Sequence, residues 1–201
     1  MRFAAALLTL FLLFPVLAIA QQPADVSETG KDHFEAEFPS GGHLDVHVRS
    51  GEVLVLGSDE NNIRIDYSGK NSDQAPDVTV RFHRSGSNGN LRIGGGPRNE
   101  FQITIRVPKH TDLCLRMPGG ELNVERLVGS KDVELHAGDM TVELGGGSED
   151  YHHVDASVNT GGLDADPYGV SKGGLFRSFK KEGNGKFRLH AHVGAGQLTF
   201  R

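Results

Sequence analysis

The sequence is short of the residues that usually staple a small exported chain or announce its chemistry. It holds one cysteine, Cys114, in 201 residues. That excludes an intramolecular disulfide and any cysteine-built metal centre. Tryptophan is absent and aromatic residues make up 7%, so a core has to be assembled mainly from aliphatic side chains. Basic residues number 21 against 26 acidic ones, a formal charge of −5. A non-specific nucleic-acid binder carries the opposite excess, so no nucleic-acid partner is expected. Long amphipathic helical patterns are missing, and past residue 20 no apolar run approaches the ~20 residues of a spanning helix. There is no G-x-S-x-G elbow, H-E-x-x-H pair or phosphate-cradling glycine motif. No cofactor is expected.

What the chain has is glycine, 27 of 201 residues, roughly twice the ordinary ~7%. It also has a distinctive start. Met1–Ala20 reads MRFAAALLTLFLLFPVLAIA, with Arg2 as a positive n-region, an apolar stretch to Phe14, Pro15, and Ala18-Ile19-Ala20 before Gln21. This layout predicts a secretory signal peptide over residues 1–20. Without Arg2 the mature chain has 20 basic and 26 acidic residues, a charge of −6. The predicted location is therefore outside the cytoplasm, whether periplasmic, cell-surface or secreted, with no transmembrane span after cleavage. Residues 21–37 read as a partly flexible N-terminal segment and 38–201 as one domain.

Period-two alternation dominates that domain, and it repeats. With φ for apolar, the template φ-x-φ-x-φ-x-x-G-x-φ-x-φ occurs five times. The copies are LDVHVRSGEVLV from Leu44, LCLRMPGGELNV from Leu113, KDVELHAGDMTV from Lys131, VDASVNTGGLDA from Val154 and LHAHVGAGQLTF from Leu189. Their glycines are Gly51, Gly120, Gly138, Gly161 and Gly196. Of 25 φ slots 24 are apolar, Lys131 being the exception, where a 37% hydrophobic composition would fill roughly nine. Of the 20 intervening slots only Leu54 and Cys114 are apolar.

The spacing dictates geometry. The φ residues flanking the glycine are five apart, and an odd step in a continuous strand points them to opposite faces. Both are apolar, so the chain has to turn a corner, and glycine supplies the backbone freedom for it. Two strands meeting at a glycine corner around one core describe part of a β-solenoid coil. Intervals of 18 and 23 residues between Gly120, Gly138 and Gly161 suit such coils. The 35 residues to Gly196 fit a coil with an insert. Further strands are predicted at 63–67, 78–82, 91–93 and 101–107. The expected fold class is all-β, a parallel β-solenoid. The alternative is an antiparallel β-sandwich with x-x-G-x as hairpin loops.

The pieces SGEVLVLG, ITIRVPKHTDLCLRMPGGELNVERLVGS, AGDMTVEL and the closing GNGKFRLHAHVGAGQLTF resemble a bacterial family of exported "putative adhesins" of unknown function. The resemblance covers roughly residues 38–201. It implies a right-handed, single-stranded parallel β-helix of pectate-lyase type in the cell envelope, and it implies no catalytic residues. The implied function is a non-catalytic adhesin, scaffold or binding module with an envelope or extracellular partner, a glycan or a protein.

Three features bear on chemistry. His190 and His192 lie two apart on one strand, and Asp155 holds the position of His190 in the neighbouring copy; imidazole and carboxylate together suit zinc. A solvated polar face is the plainer reading. Asp132, Glu134, Asp139 and Asp155 would be the acids of a glycan-cleaving solenoid, but no convergent Lys or Arg pattern joins them. Cys114 faces outward with no evident base. The insert 170–186 gathers Phe176, Arg177, Phe179, Lys180 and Lys181 on an acidic chain. It reads either as a contact for anionic glycan or lipid headgroups, or as a cover for the open end of the last coil. The turn around Asp164 and Asp166 fails the calcium-loop pattern, because Leu175 stands where the closing glutamate belongs.

Overall fold

The computed structural model describes residues 24–29, 33–68, 78–96 and 101–201; the leader lies outside these. The described chain is all-β. Its strands are β1 (Ala24–Thr29), β2 (His33–Glu37), β3 (His43–Val48), β4 (Gly51–Ser58), β5 (Asn62–Ser68), β6 (Thr79–Ser85) and β7 (Asn88–Gly94). They continue with β8 (Gln102–Pro108), β9 (Asp112–Met117), β10 (Gly120–Glu125), β11 (Lys131–Val142), β12 (Tyr151–Ala165), β13 (Val170–Glu182) and β14 (Phe187–Phe200). Two 3-10 turns, Ser148–Asp150 and Asp166–Tyr168, break the sequence of strands. No helix among the described residues is long and apolar enough to cross a membrane.

The five template copies are the middle of the sheet. Copies one and two are the pairs β3/β4 and β9/β10; copies three, four and five are β11, β12 and β14, each running through its glycine as one bent strand. Neighbouring copies pair in parallel, glycine on glycine: Gly51 with Gly120, Gly120 with Gly138, Gly138 with Gly196, and Gly196 with Gly161. The bend makes two wings. The first orders β1, β6, β7, β3 and β9, then the leading halves of β11, β14 and β12. The second orders β2, β5, β8, β4 and β10, then their trailing halves.

Both wings face one core. Every one of the 25 φ slots is buried, none more than 3% exposed. That includes Leu135 and Met140, five residues apart on β11 and both inside. The corner glycines carry φ between 126° and 138°, the left-handed side that other residues enter only under strain. They are also pressed together. A Cβ on Gly138 would collide with the carbonyl oxygen of Gly120, one on Gly196 with that of Gly138, and one on Gly161 with that of Gly196.

Three expectations change. A uniform sequential parallel coil is not what the chain forms. Strands β1, β2, β5, β6 and β13 pair antiparallel, and copy five sits between copies three and four. The chain skips one strand position after β11, lays down β12, adds β13 along its outer edge, and returns to fill the gap with β14. The arrangement places β13, with its run of lysines and arginine, at the rim, and pairs both edges of the sparsely charged β14. A charged strand at a rim resists edge-to-edge association. The insert therefore lines copy four rather than covering the end of copy five. Residues 24–29 and 33–37 also enter the sheet, Phe34 being 1% exposed, so the folded unit starts before Phe38. The strands predicted between copies one and two are β5, β6, β7 and β8, within one or two residues at most ends.

Lys131, the misfit of the template, is buried with the rest. Its Nζ donates to Tyr151 Oη at 2.5 Å and lies 5.1 Å from that ring's centre. Burial pushes its pKa down to about 8.

Gly138→Ala is expected to cost about 3 kcal/mol or more, because a left-handed φ and a collision with backbone act together. Gly41→Ala, also at positive φ but with open space around its Cβ position, is expected to cost only about 1 kcal/mol; equal losses in urea denaturation would refute the ladder. For Lys131 the amine titrates at about 8 in the folded chain and at its ordinary 10.5 once unfolded, so between those values the unfolded chain holds the extra proton. Stability should then rise with pH, by up to about 3 kcal/mol over that span, until the tyrosines Tyr67 and Tyr168, pushed up to about 12, reverse it above pH ~10. Lys131→Met is expected to flatten the rise; an unchanged profile would show that the amine is not the cause.

Candidate functional site

The outward residues of the first wing form two ladders, because in-register parallel strands place equivalent side chains side by side, ~4.8 Å apart. One ladder runs Asp45, Cys114, Asp132, His190, Asp155 and Lys180. The other runs Arg81, Arg92, His47, Arg116, Glu134, His192 and Ser157. The structure thus brings Asp155 beside His190 in adjacent strands, as the copy alignment anticipates.

The predicted metal trio does not converge as a set. Asp155 is held by Lys180 at 2.9 Å, and His192 Nδ1 lies 2.8 Å from the Ser157 hydroxyl. His190 turns toward β11 instead. With Asp132 and Glu134 it forms a half-buried group whose ligand atoms all lie within 4.8 Å of one another. Among the described residues, these three are the ones that could hold a cation. Arg116 already occupies their neighbourhood, 3.0 Å from Asp132 and 3.3 Å from Glu134. A cation would have to displace a guanidinium that neutralises both carboxylates.

The other candidates scatter. Asp139 belongs to the second wing, in an acidic row with Glu52 and Glu121, away from Asp132, Glu134 and Asp155. Cys114 is half-buried between Asp45 and Asp132, and burial pushes its thiol up, the opposite of an activated nucleophile. In the insert, Phe179 packs on Tyr168 with ring centres 5.3 Å apart, and Lys181 lies 4.6 Å from the same ring's centre. Arg177 donates to the Gly173 carbonyl at 2.8 Å. Phe176, at φ 50°, and Leu175 remain 80% and 60% exposed. Asp164 lies near the end of β12, and Asp166 opens a 3-10 turn closed by Gly169 at φ 66°.

A groove of about 760 Å³ crosses the corner side of the first wing, from β6 to β14. Arg49, Arg81, Arg92 and Arg116 line it, over a floor that includes Ile93 and Met117. Sequence reasoning missed this site. Arg81 and Arg92 stand on strands outside the template, and nothing in their local pattern says that β6 and β7 lie beside β3.

No family model matches the chain, and neither does any curated protein. Two crystal structures resemble it. One is a "putative cell adhesion protein" from Clostridium sporogenes, similar over 89% of this chain and 99% of that one, with a TM-score of 0.50 and 14% identity. The other is a "putative adhesin" from Bacteroides fragilis, over 89% and 97%, with a TM-score of 0.35 and 10% identity. At 14% identity the first likeness concerns the fold alone.

Zinc titration should separate the Arg116 guanidinium from the cation site it blocks. Arg116→Gln is expected to bind zinc about tenfold or more tightly than the native chain, a difference of ~1.4 kcal/mol, and His190→Ala in that background to abolish the gain. Equal titrations of native and Arg116→Gln chains would show that Arg116 does not guard the site.

Proposed function

We propose that this chain is an exported, non-catalytic binding module, a short right-handed β-solenoid of adhesin type that presents its outward ladders to a partner in the cell envelope or outside the cell. The observation that carries the reading is the first wing's face. Rows of polar and charged side chains align in register across five copies, on a scaffold whose inward positions are dry. Such a face offers many polar groups at a fixed spacing, which suits an extended partner better than a small substrate. The acids that would serve a glycan-cleaving solenoid are divided between two wings or engaged by Lys180 and Arg116. The leader composition supports export, and the fold shared with the Clostridium sporogenes protein supports the adhesin reading.

Export and binding are separately testable. Protein recovered from outside the cytoplasm of a bacterium expressing the full chain is expected to begin at Gln21. Mixed with isolated bacterial envelopes, the purified chain is expected to co-sediment with them and to leave acidic polysaccharides at their original length. Retention in the cytoplasm, no co-sedimentation, or polymer shortening that Asp155→Asn abolishes would each contradict the proposal.

A further inference from the structure

The groove on the first wing carries a charge pattern that folding alone does not explain. Arg81 and Arg92 are direct cross-strand partners, and like charges placed opposite each other destabilise a sheet. Arg92 in turn faces His47, and His47 faces Arg116. Along the neighbouring ladder the pairing is complementary: Asp132 opposes His190, His190 opposes Asp155, and Asp155 opposes Lys180. In the groove, Arg116 is satisfied by Asp132 and Glu134. Arg49, Arg81 and Arg92 have no carboxylate partner among the described residues; Arg92 reaches only the Asn90 side chain at 3.3 Å. Three uncompensated guanidiniums thus line one concave surface of a chain whose net charge is −5.

From this we infer that the groove is a binding site for an acidic polysaccharide, an extended chain bearing carboxylates or sulfates. Guanidiniums bind such oxyanions bidentately. The groove runs across six strands from β6 to β14, roughly 24 Å at ~4.8 Å per strand, so it matches a thin linear polymer better than one isolated anion. Its arginines recur over β6, β7, the turn after β3 and β9, with Glu134 and His192 at the far end, and a polymer with acid groups along its length can meet several of them at once. Nucleic acid fits less well, since no Phe, Tyr or Trp lines the groove for bases to stack on. A lipid surface fits less well too: among the described residues the large exposed apolar side chains, Leu175 and Phe176, are on the β13 rim instead. A second copy of this chain could offer its acidic row Glu52, Glu121 and Asp139, but that row lies on a sheet face, whereas the groove is concave.

The inference deepens the binding role proposed above and rests on it. The test is calorimetric titration of the purified chain with polygalacturonate, dextran sulfate, neutral dextran, a DNA oligonucleotide and vesicles containing anionic lipid, with sedimentation velocity to follow self-association. Binding to one or both acidic polysaccharides is expected, with no heat from neutral dextran, and it should weaken with added salt. Arg81→Ala with Arg92→Ala is expected to reduce that affinity at least about tenfold, while leaving the melting temperature unchanged or higher because a like-charge pair has been removed. A purely structural role for these arginines would lower the melting temperature instead. Native-like affinity in the double variant, no binding to either acidic polymer at low salt, tighter binding of DNA or vesicles, or salt-sensitive self-association lost in the variant would each overturn the assignment. If the double variant still co-sediments with envelopes as the native chain does, the groove assignment fails while the broader binding role stands. If the native chain does not co-sediment, the broader role fails as well.

Discussion

The structure depends on close approach of backbone to backbone at five stacked glycines. Each copy must direct apolar side chains inward on both sides of an odd-numbered step, and only a sharp corner permits it. Stacking the corners in register brings Gly120, Gly138, Gly161 and Gly196 each against the carbonyl of a neighbouring corner glycine, leaving no room for a Cβ. The ladder thereby fixes register along both wings at once. A slip by one residue would put a side chain into that crowded line and turn every inward residue outward. Register, in turn, aligns the outward residues into rows, and the rows are where the chemistry lies.

The same logic explains the distribution of charge. Inward positions are interchangeable aliphatics, so they say little beyond fold. Outward positions are free to differ, yet one ladder interleaves its carboxylates with Cys114, His190 and Lys180 while the other sets Arg81 directly beside Arg92. Complementary pairs such as Asp155 and Lys180 settle the sheet locally. The opposed Arg81 and Arg92 do the reverse, and a local rule broken on an otherwise consistent scaffold marks a position retained for binding. Lys131 breaks the rule on the other side of the sheet, and there the nearby Tyr151 hydroxyl gives the amine a partner.

Much of this was legible in the sequence. The inward slots, the corner glycines and the alignment of Asp155 with His190 follow from a spacing that one chain displays to itself. The strands between copies one and two could be located, because alternation is local. Three things were not legible. Copy five fills the gap between copies three and four, since chain order does not determine which strand returns to which edge. Arg116 falls beside Glu134 in the copy alignment, but its reach to both Asp132 and Glu134 is a matter of side-chain conformation. The arginine groove draws on β6 and β7, whose place beside β3 comes from long-range pairing. In the first and last cases the missing information was adjacency between strands, which no local pattern encodes.

The order of the copies is the claim on which both faces rest, and cross-linking reads it directly. Thr141 is registered beside Thr199, and Thr199 beside Asp164. In a Cys114→Ser background, a disulfide needs Cα atoms within about 7 Å, and adjacent strands lie ~4.8 Å apart. Thr141→Cys with Thr199→Cys is therefore predicted to cross-link on mild oxidation, and Thr141→Cys with Asp164→Cys, two strands apart, is predicted to stay reduced. Efficient cross-linking of the second pair and not the first would place copy four beside copy three, and would contradict the account.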